Sequence, residues 1–313
     1  MRVGFIGLGT MGAGMANNLQ QKGGYKITVT DLRQEAAAKH IANGAVWADS
    51  PKAVAAASDI VFTSLPVPAD VEKVALGENG ILAGLGEGGI YLDLSTNAVK
   101  TVRALNEAFA AEGKFMLDAP VSGGPKGANS GRLAIWVGGD EAAYTRAKPV
   151  MDSFADQILY IGPTGAGTIA KMVHNATSGV MNIVLAELFA MGVKAGVEPL
   201  ALWEAVRQGA GGRRRTFDGL ADHFLIGEYD PPDFAFRLIH KDVSLAAELG
   251  RDVGAPMRMV ALALQDMQEA LNRGWGHRDS RVAMLLAPER AGIPAIKVDK
   301  QRIAAVLQRD NKS

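Results

Sequence analysis

The chain contains no cysteine. That removes structural disulfides, thiolate nucleophiles and thiolate metal ligands, and it fits a reducing compartment, so the cytoplasm is the expected location. Net charge is absent as well, because 33 Lys and Arg stand against 33 Asp and Glu. No global field then steers the protein toward nucleic acid or an anionic membrane, and neither is an expected partner. Any selectivity for anions must be local. Long apolar runs are missing too: the longest uncharged helical stretch, 172–186, is interrupted by His174, Asn175, Ser178 and Asn182, so a membrane span is not expected. The apolar start, 1–12, is short, glycine-broken and without a cleavage site, and it reads as a strand rather than a signal peptide.

What is present describes a folded protein. Of 313 residues, 48% are hydrophobic and 21% charged, enough apolar side chain for two cores. In the first half, short β-rich runs (2–7, 27–31, 60–64) alternate with helical patterns (12–22, 34–42), which implies a parallel sheet. Runs at 90–94, 115–119, 133–138 and 157–161 extend it, with a helix over 99–113 on one face. From Thr164 the pattern becomes long and helical, punctuated only by glycine and proline. The expected fold is therefore α/β: a Rossmann-type, doubly wound, mostly parallel sheet over 1–163, a long interdomain helix over 164–194, and an all-α domain over 195–313. The polar tail from Lys300 reads as a frayed helix or a solvated end.

Three segments carry chemistry. RVGFIGLGTMGAGMANNL sets Gly7, Gly9 and Gly12 directly after an apolar strand and at a helix start, the context that gives G-x-G-x-x-G its meaning. Gly7 permits the tight turn, Gly9 a close approach of backbone to pyrophosphate, and Gly12 close packing of helix on strand, while the helix N-terminus favours the anion. Leu8, Thr10 and Met11 complete this cofactor loop. The second strand ends at Asp31, where a carboxylate can accept both ribose hydroxyls and repel a 2′-phosphate, so the expected cofactor is NAD; Arg33, two residues on, keeps NADP open.

The second segment is a helix starting near Gly167. Lys171, Asn175, Ser178 and Asn182 fall on one of its faces, and the other faces are almost wholly apolar, so the helix is expected to be buried all round. A lysine there must be paired, solvated by a cleft or lowered in pKa, and such a lysine serves as a general acid or base. The third is 118–140, DAPVSGGPKGANSGRLAIWVGGD, too rich in glycine to be expected as helix, in which Ser122, Gly123 and Gly124 look like a nest for a carboxylate.

Together these segments resemble the β-hydroxyacid dehydrogenase family, through the glycine fingerprint, DAPVSGG at 118–124, GAGTIAKMVHN at 165–175 and the late pair Lys241 and Asp242. The resemblance covers nearly the whole chain. It implies an NAD-dependent oxidoreductase that moves a hydride between the nicotinamide and a small acidic 3-hydroxy acid or its semialdehyde, as a homodimer or homotetramer. By it, Lys171 would exchange the proton at the substrate oxygen, Asn175 would hold the substrate, and Ser122 with Gly123 and Gly124 would bind its acid group. Leu65, Pro66, Thr96 and Lys241 would line the nicotinamide half of the cofactor. No metal is implied. Two positions depart from the pattern. His174 stands where asparagine is common and reads as a packing or hydrogen-bonding residue, and GGRRRT at 211–216 puts Arg213 and Arg214 where relatives carry small residues, candidates to select a second anionic group. The rival readings, a non-catalytic protein or an imine reductase on the same scaffold, would be expected to lack Lys171.

Overall fold

In a computed structural model, residues 1–209, 218–254 and 257–310 are described. Nine strands form one sheet: β1 (Val3–Ile6), β2 (Ile27–Thr30), β3 (Val46–Trp47), β4 (Ile60–Thr63), β5 (Ile90–Asp93), β6 (Phe115–Asp118), β7 (Val121–Ser122), β8 (Leu133–Gly138) and β9 (Ala155–Gly162). Helices α1 (Gly12–Gln21), α2 (Ala38–Ala42), α3 (Pro51–Ala56), α4 (Pro68–Leu76), α5 (Ile81–Gly84), α6 (Val99–Ala111), α7 (Gly124–Ser130) and α8 (Glu141–Met151) connect them. Then follow α9 (Ala166–Lys194), α10 (Pro199–Gln208), α11 (Gly219–Asp222), α12 (Phe236–Asp252), α13 (Arg258–Asn272), α14 (Leu286–Arg290) and α15 (Lys300–Asp310).

The strand order is β3-β2-β1-β4-β5-β6-β8-β7, with β9 added to β8. Strands β1 to β6 run parallel, and β8 pairs antiparallel with β6 and β7. The order reverses between β1 and β4, so a crevice opens outside the carboxyl ends of the strands at that point. Buried side chains alternate between two cores because successive residues of a strand face opposite ways. Phe5, Ile60, Phe62, Ile90 and Leu92 belong to one core, and Ile6, Val61, Tyr91 and Met116 to the other. Helices cover both faces, as the continuous apolar runs of these strands require.

The chain divides into two compact units, Met1–Val173 and His174–Ser313, with the division inside α9. Within the second unit, Phe189, Trp203, Phe224, Ile303 and Val306 share one core, and Phe236, Ile239, Val243 and Met267 share another. α9 runs for 29 residues and ends where Gly196 adopts φ +96° and donates its amide to Val193.

Four expectations are corrected. Residues 124–130 are helical despite their glycines, because Pro125 lies in the first turn, where its missing N–H costs nothing, and Gly131 closes the helix in the left-handed region. The small residues serve a close crossing with α1: buried Asn18 donates to the carbonyls of Ala128 and Asn129 at 2.7 and 3.2 Å. α9 is not buried all round, since Val173, Met181 and Val184 are exposed. His174 is exposed as well and packs in neither core, which leaves hydrogen bonding of the two roles expected of it. The tail is no solvated end: Ile303 and Val306 of α15 are buried among the apolar residues of the second unit.

Candidate active site

Strand register builds the site of the first unit. Ile6 is paired with Thr30 on one side and Thr63 on the other, Thr63 with Asp93, and Asp93 with Asp118. Five strand ends therefore lie in one row. The segments that leave them carry Gly7, Asp31, Leu65, Thr96 and Ser122.

At the first end, Gly7 has φ +92°, and a Cβ on it would lie 2.4 Å from the carbonyl oxygen of Ser64. A Cβ on Gly12 would strike the Gly7 carbonyl oxygen, so these two positions are closed to any larger residue. Gly9 differs: it is exposed, and a Cβ there would meet nothing. The bare backbone of Gly9 and Thr10, leading into the ten-residue α1, fits a pyrophosphate that needs close N–H donors and a positive helix end. Met11 is half-buried and Leu8 buried, holding the loop from below. The carboxylate of Asp31 accepts the Leu8 amide at 2.7 Å and the Arg33 amide at 3.0 Å. It thus fixes the glycine loop and keeps a lone pair on each oxygen, which could accept a pair of hydroxyls.

A second group of contacts centres on Asp93, which is buried. Its Oδ1 accepts Thr63 Oγ1 at 2.9 Å and the Ser95 amide at 3.0 Å, and its Oδ2 accepts Asn97 Nδ2 at 2.9 Å. Ser95 Oγ in turn accepts the Leu65 amide at 2.9 Å, tying the turn that carries Leu65 and exposed Pro66 to the loop that carries Thr96. Half-buried Thr96 is held from both sides by residues bonded to one carboxylate. Ser122 pairs with Ala134 across β7 and β8, and Gly123 and Gly124 follow at φ +134° and +59°. Two successive positive φ values at this turn require glycine.

Asp118, also buried, starts the same motif. Its Oδ1 accepts the Gly165 amide at 2.8 Å and its Oδ2 the Thr168 amide at 2.7 Å, capping α9. Burial pushes the carboxyls of both Asp93 and Asp118 above the ordinary range, against hydrogen bonds that pull them down. Lys171, on the second turn of α9, is only 8% exposed.

In the second unit, Asn175 is equally buried and its Nδ2 donates to Asp242 Oδ2 in a short hydrogen bond. A carboxylate can only accept there, so the amide nitrogen of Asn175 must face it and the amide oxygen is turned away. The Lys241 ammonium lies 3.0 Å from the other Asp242 oxygen, which gives buried Asp242 a counter-charge. Arg213 and Arg214 lie outside the described residues.

Sequence reasoning did not assign roles to Asp93 and Asp118, nor to Asp242 as the partner of Asn175. The signal was available for the first two: each is an acid closing an apolar strand run, as Asp31 is.

Two family models span this architecture, the NAD binding domain of 6-phosphogluconate dehydrogenase over 2–162 and the NAD-binding domain of NADP-dependent 3-hydroxyisobutyrate dehydrogenase over 165–286. They define an oxidoreductase that uses a nicotinamide dinucleotide. The chain is 35% identical to 2-(hydroxymethyl)glutarate dehydrogenase of Eubacterium barkeri, covering 94% of this chain and 97% of that one. It is 36% identical to the NAD-dependent L-serine dehydrogenase of Pseudomonas aeruginosa, at 91% and 97% coverage. Among solved structures, 3-hydroxyisobutyrate dehydrogenase of Salmonella typhimurium superposes with a TM-score of 0.80 at 30% identity, over 91% of this chain and 99% of that one. The chain belongs to the β-hydroxyacid dehydrogenase family.

Proposed function

We propose that this enzyme oxidises the hydroxyl-bearing carbon of a small, acidic 3-hydroxy acid, or reduces the corresponding semialdehyde, with Lys171 as the proton-transfer group. The observation that carries the reading is a lysine almost fully buried on α9 with Asn175 one helical turn on, within the segment that the 3-hydroxyisobutyrate dehydrogenase family model matches. Relatives named for 2-(hydroxymethyl)glutarate, L-serine and L-threonate support the substrate class, since each name denotes a small hydroxy acid.

When bound, the nicotinamide supplies the hydride acceptor or donor. The chain's own residues do the rest. The amides after Gly7 hold the pyrophosphate, and Asp31 takes the ribose hydroxyls, which favours NAD over NADP. Leu65, Pro66, Thr96 and Lys241 flank the nicotinamide half. Ser122, Gly123 and Gly124 receive the substrate's acid group, Asn175 orients its hydroxyl, and Lys171 accepts that hydroxyl's proton in oxidation and returns it in reduction. Arg213 and Arg214 would select a second anionic group. The lack of cysteine supports work in the cytoplasm, and the exposed Met181, Val184, Met259 and Leu262 support a homo-oligomer that covers them.

A panel of hydroxy acids assayed for nicotinamide reduction tests the reading. Lys171→Ala is expected to lower kcat by about 10² to 10⁴ while NAD still binds, the usual range for a positioned acid or base. Lys171→Arg should not restore turnover, because a guanidinium keeps its proton near neutral pH. Turnover in the alanine variant within about fivefold of wild type would remove Lys171 from the mechanism.

A further inference from the structure

Two buried carboxylates stand side by side at the carboxyl ends of β5 and β6. Asp93 and Asp118 are register partners, each 1% exposed, and among the described residues neither forms an ion pair. Burying two like charges on neighbouring strands without a cation is costly. A strand end needs no acid, and a helix can be capped by a neutral Ser or Asn. The bonds these groups accept give the reason for them. Four of the five donors belong to segments that carry the proposed site, and the fifth is the hydroxyl of Thr63 on the neighbouring strand.

The neighbourhood of Asp118 leaves the start of α9 almost no freedom. A Cβ on Gly167 would lie 2.2 Å from the Trp136 carbonyl oxygen and 2.7 Å from that of Asp118, and a Cβ on Gly138 would lie 2.6 Å from Asp118 Oδ1 and 2.9 Å from the Ala166 amide. The first turn is pressed onto β6 and β8 and fixed there by two charge-assisted bonds to a single carboxylate. Lys171 follows within one turn. Asp93 does the equivalent for the cofactor loops, bonding the residues on either side of Thr96 and, through Ser95, the Leu65 turn.

We propose that Asp93 and Asp118 are positioning residues with divided tasks: Asp118 sets the catalytic helix and hence the lysine, and Asp93 sets the loops that hold the nicotinamide half of the cofactor. Because their Cα atoms are partners on adjacent strands, about 5 Å apart, sheet register fixes the spacing between the two halves. The proposal rests on the reading of Lys171 given above.

The test is a pair of isosteric variants. In Asp118→Asn one side-chain atom becomes a donor facing a donor, Gly165 or Thr168. In Asp93→Asn either the Asn97 amide or the Ser95 and Thr63 donors lose their acceptor. Asp118→Asn is expected to lower kcat about 10- to 100-fold, the range for a group displaced by about 1 Å, with the NAD dissociation constant within about twofold of wild type. Its primary deuterium isotope effect should rise as hydride transfer becomes slower than product release. Asp93→Asn should show the opposite split, a rise of about tenfold in the KM and dissociation constant for NAD with kcat at saturation within about threefold. Asp118→Glu and Asp93→Glu are second variants, in which partial recovery of the same parameter supports positioning. Variants that melt at lower temperature but keep both kinetic parameters, or that change the same parameter alike, overturn the proposal. If the wild type binds NAD yet turns over no hydroxy acid, the reading of Lys171 fails instead. NAD affinity in the two variants then still decides whether Asp93 alone governs the cofactor loops.

Discussion

Asp31 serves two partners with one carboxylate. It holds the Leu8 amide, and so the glycine loop, and in the proposed function its remaining lone pairs take the ribose hydroxyls. The two tasks make a specific prediction. Asp31→Asn should narrow the preference for NAD over NADP by about 1 to 2 kcal/mol, through loss of phosphate repulsion and of a charge-assisted bond. Because an amide can accept from only one of Leu8 and Arg33, kcat/KM for NAD should also fall in absolute terms. Comparing kcat/KM for the two cofactors, wild type against variant, checks this. An unchanged ratio would mean that Arg33 governs the pocket. At this scale the sequence was readable where a motif fixes the path of the backbone, as at Gly7 and Gly12, where an added Cβ would strike a backbone oxygen. It was silent on Asp93 and Asp118, because the donors that give them meaning lie 2 to 50 residues away and meet them only through sheet register and the entry of α9.

Among elements, the crossing of α1 and α7 shows why a composition rule failed. Glycine in GPKGANS argues for a loop when residues are weighed one at a time, but in this place glycine is what lets two helices touch. A Cβ added to Gly14 would lie 2.8 Å from the Ala128 carbonyl carbon and 2.9 Å from the Asn129 amide, both backbone atoms that cannot turn aside. Gly14→Ala should therefore destabilise the first unit by about 1 to 3 kcal/mol as an overpacking change, although alanine is the better helix former. Asn18→Ala should cost a comparable amount, about 1 to 3 kcal/mol, by leaving buried carbonyls unsatisfied. Denaturant titration checks both, and a Gly14→Ala variant as stable as wild type would show that the helices can separate without penalty. The β-α alternation of β1, β2, β4, β5 and β6 was legible because each of these strands is a run of four apolar or nearly apolar residues bounded by turns. β3 and β7 were not, since two residues cannot show a period. α15 was hidden by its charges, and only its contacts reveal that Ile303 and Val306 form its buried stripe.

For the molecule as a whole, each unit holds a histidine of lowered basicity, buried His40 in the first and half-buried His240 in the second. Burial depresses both, and the neighbouring Lys39 charge adds to the effect at His40. His40 lies on α2 with its Nδ1 3.1 Å from Gln20 Oε1, and the Gln20 amide donates to the His40 carbonyl at 3.0 Å, so the ring is held between α1 and α2. An unfolded chain titrates these rings near pH 6.5, above their folded values. As pH falls through that point the unfolded state takes up protons first, so stability is full above about pH 6.5 and declines as pH drops toward the folded values. Asp93 and Asp118 act with the opposite sign. Their raised folded values mean that the native state holds protons more tightly, which favours folding as pH falls and costs stability as pH rises from about 4. Between neutrality and mild acid the histidines are the groups whose unfolded titration lies within the range, so Tm should fall from about pH 7.5 to 5.5. The fall should be smaller in His40→Gln, whose side chain takes up no proton and can still bond Gln20. Parallel Tm curves for wild type and His40→Gln over that range would show that the buried imidazole does not govern acid stability.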